Sequence, residues 1–346
     1  MKEFTYVKAP DMDAALAALR RPGTQLVAGG TELLNWLKDG IEAPDHLVDI
    51  TGLPLTAVGV GPHGRLRIGA LARMSDLAAH PEVARERPVL AQSLLLAASP
   101  QLRNMATIGG NLQQRTRCPY FRADTPLPCN KRTPGAGCAA LQADDTAQHA
   151  IFGWTQECAA THPSDLAVAL AALDATILIS GPGGERRVPA DAFHLTPEEA
   201  EPRRHTVLAP DELITGVEVP ARPSARLSHY LKVRQRASYE FAVVSAAVAL
   251  EITAGDTIGS VRIALGGVAH RPWRLTAAEE ALRGTELADT DALRAAVAIS
   301  FADARPLPGN GYKVELAQRA AVRALRAAAR PKAPDVHRAV AKGGPR

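Results

Sequence analysis

The chain has 346 residues, 46% hydrophobic and 22% charged, with a formal net charge of +4. That length suits two or three domains with buried cores, and 4% aromatics on a mild charge lacks the basic, aromatic-interleaved stripe of a nucleic-acid binder. No run of about 18 apolar residues exists, so no membrane insertion is expected, and the opening MKEFTYVKAP has no apolar signal core, so synthesis in the cytoplasm without self-export is expected.

MKEFTYVKAP reads as a short strand stopped by proline, and Asp11 or Asp13 can cap a helix over DAALAALR. Leu26, Val27 and Ala28 form the next short strand. Gly29 and Gly30 make a tight turn, and Thr31 is expected to cap the helix ELLNWLKDG, which holds Glu32, Leu33 and Leu34. A strand, a glycine turn and a helix start together leave backbone N–H groups free for an anion. A plain strand-to-helix turn uses the same residues.

HLVDI is another strand. GVGPHG (residues 59–64) spells a dinucleotide fingerprint but contains Pro62 and leads into the alternating RLRIGAL. A true fingerprint opens a helix, so this is a hairpin turn, which argues against a Rossmann fold. Met74 to His80 and Pro88 to Ala98 are apolar at helical spacing. In the TIGGN segment that follows, Gly109 and Gly110 offer backbone donors, and Thr107 and Asn111 offer side-chain donors. It is either a second cofactor-gripping turn or a glycine-rich loop.

From Leu112 to Ala160 the chain is polar and turn-rich, a length that needs its own explanation. All four cysteines lie here, as Cys118, Cys129, Cys138 and Cys158, with spacing C-x10-C-x8-C-x19-C. The spacing lacks the CxxC of zinc ribbons and bacterial ferredoxins. Two disulfides, a four-thiolate zinc, a [4Fe–4S] cluster and unrelated buried cysteines all remain open on spacing. Arg115, Arg117, Arg122, Lys131 and Arg132 crowd the same stretch and would offset the charge of a thiolate cluster, or form a solvated face.

HPSDLAVALAALDA is a capped helix, ATILIS a strand, GPGGERRVPA a hairpin and ELITGVEVP a strand, followed by a linker-like ARPSA. The last third runs from strands (RLSHYLKVRQ; FAVVSAAVALEI, a strand or a helix-to-strand run; SVRIALGGVAHRPWRL) to helices, the order of a small α+β domain. PKAPDVHRAVAKGGPR is a basic tail, residues 331–346.

LVAGGTEL, TIGGN, a Ser-Asp at a helix start and a strand lysine before an apolar run, in that order, resemble the FAD-binding subunits of molybdenum hydroxylases. That family includes the xanthine dehydrogenase flavin domain and the carbon monoxide dehydrogenase medium subunit. The resemblance covers about residues 1–330. It implies an α+β class: a two-subdomain FAD-binding fold of PCMH type and a carbon monoxide dehydrogenase flavoprotein C-terminal domain. The expected divisions are residues 1–55, 56–222 with a cysteine-rich insertion at 112–160, and 226–330.

The common pattern runs from the TIGGN asparagine to Ser-Asp in a much shorter stretch than the 54 positions from Asn111 to Asp165, and the excess holds the cysteines. RTRCPYFR, CNKRTPGAGCAA and THPSDLA are similar to the insertions of 4-hydroxybenzoyl-CoA reductase β-subunits and, more closely, of periplasmic aldehyde oxidoreductase flavin subunits. The resemblance implies FAD and a [4Fe–4S] cluster on Cys118, Cys129, Cys138 and Cys158. It implies that residues Leu26 to Leu34 hold the FAD pyrophosphate and that Thr107, Gly109, Gly110 and Asn111 bind from the second turn. Asp165 would accept from sugar or ribityl hydroxyls, and Lys232 would lie near the isoalloxazine edge. Tyr239 and Phe241 could lie against that ring, though core packing is the better expectation for them.

The expected function is electron transfer within a heterotrimeric aldehyde oxidoreductase. A molybdenum large subunit oxidises the aldehyde and a [2Fe–2S] small subunit relays electrons. FAD on this chain passes them to an external acceptor. No catalytic residue for aldehyde oxidation is expected on this chain. The alternatives are a 4-hydroxybenzoyl-CoA reductase-type subunit, a zinc-bearing assembly subunit and a stand-alone flavin oxidase. The likeness to a periplasmic enzyme implies co-export with a partner that bears the signal.

Overall fold

A computed structural model describes residues 1–125 and 127–330; the basic tail expected at 331–346 lies outside them. Three sheets organise the chain. The first is parallel, in the order β1-β3-β2, from Thr5–Lys8 (β1), Thr24–Val27 (β2) and His46–Asp49 (β3). Helix α1 (Met12–Leu19) and helix α2 (Leu33–Lys38) make the crossovers that parallel neighbours require. Asp11 caps α1 by accepting from the Ala14 N–H at 2.8 Å.

The second sheet has the order β4-β5-β8-β6-β7 and is antiparallel throughout. Its strands are β4 (Val58–Val60), β5 (Leu66–Gly69), β6 (Thr176–Gly181), β7 (Gly184–Pro189) and β8 (Leu213–Val219). The GVGPHG segment joins β4 to β5 as a hairpin, as its proline and the following alternation require. Between β5 and β6 lie α3 (Met74–Ala79), α4 (Pro81–Glu86), α5 (Pro88–Leu96), α6 (Pro100–Arg103), α7 (Ile108–Leu112) and α8 (Asp165–Ala172). Every residue of α8 is buried, which the all-apolar LAVALAA run after Asp165 demands.

The third sheet, β12-β11-β10-β9, is antiparallel and carries α9 (Thr276–Ala281), α10 (Thr290–Ile299) and α11 (Tyr312–Ala328). Its strands are β9 (Ser228–Val233), β10 (Val244–Thr253), β11 (Thr257–Gly266) and β12 (Trp273–Arg274). Strand β10 is buried on both faces. Val244, Ala246, Val248 and Leu250 enter the core under α9–α11, while Ala247 and Ala249 enter the core around α8. Two-sided burial explains a continuous apolar run in a strand and settles its ambiguous reading.

Several local expectations change. Thr31 does not cap α2: the helix starts at Leu33, Glu32 stands at the N-cap, and its side chain makes no capping bond. TIGGN is not a loop but the short helix α7, capped by Thr107. The linker expected at 221–225 is a 3-10 turn with Ser224 and Ala225 buried. The insertion is mostly irregular, yet it is anchored. Asn310 and Lys313 donate to the His149 carbonyl at 3.2 and 2.8 Å, and Ile151 and Phe152 enter the third-sheet core.

Candidate functional site

A cavity of about 740 Å³ opens where the first sheet, α7, α8 and the segments 203–214 and 239–241 meet. That volume lies in the range of small-molecule and cofactor sites. Leu26, Ala28, Gly29, Gly30, Thr31, Glu32 and Leu33 line it, whereas Val27 does not and Leu34 points largely to solvent.

The glycine turn is shaped by close approach. A Cβ on Gly29 would overlap the Met105 carbonyl oxygen, and Gly30 adopts φ +68°. Among the described residues, none of the N–H groups of Gly29, Gly30, Thr31 and Glu32 donates to a backbone carbonyl. Four consecutive donors without a backbone acceptor, on residues that line one cavity, fit a bound polyanion such as a diphosphate.

The second turn differs from its expectation. The Ile108 and Gly109 N–H groups donate to the Ala72 and Ala70 carbonyls, and the Gly110 N–H reaches Thr107 Oγ1 at 3.3 Å. These donors are already occupied. Gly109 serves close packing instead, since a Cβ there would stand 3.1 Å from Ala70 Cβ. Thr107, Gly109, Gly110 and Asn111 still line the cavity, and Asn111 Oδ1 accepts from Ser164 Oγ at 2.6 Å. His194 Nε2 donates to the Leu112 carbonyl at 2.8 Å and fixes the far end of α7.

Asp165 lines the cavity from the start of α8 and is 5% exposed. Oδ1 accepts from Tyr230 Oη at 2.6 Å and Oδ2 from Lys232 Nζ at 2.7 Å. A carboxylate offers about four acceptor sites, so capacity remains for a ligand hydroxyl. Burial, with the Asp165 charge behind it, pushes the Tyr230 phenol well above its usual range.

Lys232 packs behind Asp165. Its side chain is 1% exposed, it donates also to the Leu96 carbonyl at 3.1 Å, and it is absent from the cavity wall. Its ammonium group faces Asp165. Tyr239 and Phe241 reverse the core-packing expectation, being 56% and 41% exposed on the cavity rim. Arg115, Arg117, Arg203 and Arg204 also line the cavity, and no motif pointed to them. Their only signal was arginine density beside the cysteines and in PRRH.

All four cysteines line one small second cavity, although up to 19 residues intervene between successive cysteines. All are free thiols, with Cys129 and Cys158 buried. Backbones at Cys129 and Cys138 pair as an antiparallel bridge, and Cys118 Sγ lies 3.4 Å from His149 Nε2. Burial pushes the Cys118 thiol up to about 12 and Cys158 to about 11, and neighbouring thiols add to both. Among the described residues, no three His, Cys, Asp or Glu side chains converge closely enough to hold one metal ion. Four thiols on one cavity wall match the ligand number of a four-thiolate zinc or of a [4Fe–4S] cluster.

Lys131 lines this cavity, buried, with its pKa lowered chiefly by burial. The other cations of the insertion turn to oxygen acceptors rather than to the cysteines, and Arg115, Arg117 and Arg122 are too buried to form a solvated face. Arg115 pairs with Glu42, and Arg117 and Arg122 with Glu32; Arg132 donates to the Ala123 carbonyl at 2.7 Å. Arg115, Arg117 and Arg122 fasten the insertion to the residues flanking α2, whereas Arg132 bonds within the insertion.

Residues 2–222 match the family model of the FAD binding domain in molybdopterin dehydrogenase, and residues 229–328 that of the CO dehydrogenase flavoprotein C-terminal domain. The chain is 49% identical over 323 residues to the aldehyde oxidoreductase FAD-binding subunit PaoB of Escherichia coli, covering 92% of this chain and 96% of that one. It is 29% identical to the carbon monoxide dehydrogenase medium chain of Hydrogenophaga pseudoflava, covering 94% and 96%. A solved carbon monoxide dehydrogenase from that organism superposes with a TM-score of 0.70 at 28% identity, covering 94% of this chain and 96% of that chain. Reconstituted CO dehydrogenase from Oligotropha carboxidovorans superposes with a TM-score of 0.73 at 26% identity, covering 95% and 99%. Among the described residues no helix is long and apolar enough to cross a membrane.

Proposed function

The chain belongs to the family of FAD-binding domains of molybdopterin dehydrogenases, and from that premise we propose that it is the FAD-carrying electron-transfer subunit of a heterotrimeric, molybdenum-dependent aldehyde oxidoreductase. The carrying observation is the row of free N–H groups at Gly29–Glu32 on the wall of the 740 Å³ cavity. The 49% identity to an aldehyde oxidoreductase FAD-binding subunit supports the aldehyde class.

When bound, FAD supplies a centre that takes electrons from an iron–sulfur relay and gives them to an external acceptor. In this reading the Gly29–Glu32 turn holds the diphosphate, and Asp165 accepts from a sugar or ribityl hydroxyl. Thr107 and Asn111 bind from α7, and the Tyr239 and Phe241 rings shield the site from the rim.

Cys118, Cys129, Cys138 and Cys158 would hold a [4Fe–4S] cluster, a one-electron relay or a brace for the insertion. The support is their shared cavity and their free thiols. The partners in this reading are a molybdenum large subunit and a [2Fe–2S] small subunit, and the assembly is exported to the periplasm by a signal on a partner.

The test is an absorption spectrum of the purified chain with iron, acid-labile sulfide and extracted flavin assayed together. Flavin bands on a broad iron–sulfur shoulder, with about four irons per chain, are expected. Flavin without iron would refute the cluster; a colourless, zinc-loaded chain would refute both cofactors. Fractionation of cells making the whole complex tests the location.

A further inference from the structure

Glu32 stands in the wall of the large cavity, two residues past Gly30. A bare carboxylate there would repel the diphosphate assigned to the turn. The cysteine insertion supplies its counter-charges. Arg117 Nη2 donates to Glu32 Oε2 at 2.6 Å, and Arg122 pairs with Oε1, which also accepts from Trp36 Nε1 at 2.8 Å. The Arg117 guanidinium lies 4.8 Å from the Phe241 ring centroid, so it is itself part of the cavity wall.

The two arginines are tied to Cys118 through the backbone. Arg117 immediately precedes Cys118, and the Arg122 N–H donates to the Cys118 carbonyl at 3.1 Å. Cys118 and Cys129 pack with Leu33 and Trp36 of α2 in one apolar cluster. Helix α2, which starts beside the glycine turn and lines the large cavity, thus packs against two of the cysteines.

We propose that Arg117 is a positioning residue that makes the flavin cavity receptive to an anion by neutralising and aiming Glu32, and that it does so while the Cys118 loop is held in place. Occupancy of the cysteine site and retention of FAD then rise and fall together, and linkage makes the effect reciprocal. The inference rests on the FAD reading and, for its second half, on the cluster reading.

The test titrates deflavinated full-length chain with FAD, followed by flavin fluorescence, with iron assayed in each sample. The variants are R117M, R117K and the double variant E32Q/R117M. R117M is expected to bind FAD on the order of tenfold more weakly, since it removes one of the two cations that outweigh Glu32 in a partly desolvated wall. R117K should fall between. E32Q/R117M should return to within about threefold of wild type because the repelling carboxylate is gone. Wild type depleted of iron by a chelator should weaken by a factor similar to R117M.

R117M within about twofold of wild type would overturn the proposal. So would a double variant as weak as R117M, which would make Arg117 a packing latch only. Unchanged FAD affinity after iron depletion would overturn the coupling. A wild-type chain that takes no FAD refutes the proposed function instead. One that takes FAD but never iron refutes the cluster and the coupling with it, and the three variants still decide the role of Arg117.

Discussion

Lys232 donates to Asp165 from 2.7 Å, and both side chains are almost fully buried, at 1% and 5% exposure. A pair this dry is stable only while both members are present, since removing one strands the other charge. Lys232→Met should therefore lower stability by about 3 kcal/mol or more, and Asp165→Asn with Lys232→Met should lose less than the two single changes summed. Chemical denaturation of the four proteins measures this. A stable Lys232→Met chain that has merely lost flavin would move Lys232 back to the ligand.

Gly29→Ala should abolish flavin retention, because the new methyl overlaps the Met105 carbonyl oxygen and the turn must open. Gly183→Ala is the control: nothing lies within 4 Å of its Cβ position. Flavin extracted per chain reads the contrast, and equal flavin in both variants would contradict it.

Stability should fall on acidification, starting near pH 6.5. Burial lowers the His194 pKa from 6.5 to about 4, while the unfolded chain keeps the ordinary value. The unfolded state then binds more protons between those limits, so stability is full above pH 6.5 and is lost as pH falls toward 4. The loss from this residue is about 3 kcal/mol. His162, His205 and His270, also lowered by burial, add to it with the same sign. Unfolding midpoints across this window should flatten in His194→Gln, and an unchanged slope would show that His194 is not a source.

Cys129→Ser should lose the iron–sulfur absorption and the iron. The residue is buried, and its backbone pairs with that of Cys138 on the cavity wall. Iron content at the wild-type level, with an unaltered spectrum, would remove Cys129 from the ligand set.

The strands and the longer helices were legible because each is driven by a local pattern. The alternation of RLRIGAL, the capped apolar run SDLAVALAA and the proline inside GVGPHG specify structure within a few residues. The short helices α4 and α6 were not, since a few residues carry too little periodicity to separate a helix from a turn. Thr31 misled because a cap residue type was present while the chain turned one residue later. Tyr239 and Phe241 misled because an exposed aromatic and a buried one look alike in sequence.

Composition and motif order were enough to point to a glycine turn for an anion, a cysteine-bearing insertion and the family that joins them. They could not say that the four cysteines line one cavity, that Lys232 pairs with Asp165, or that Arg117 and Arg122 of the insertion hold Glu32. Each of these is a contact between segments 67 to 90 residues apart, or across the insertion's own irregular loops. Spacing along a chain constrains helix faces and strand alternation over a few residues. Which side chains meet across such distances follows from how sheets and helices pack, and no local pattern encodes it.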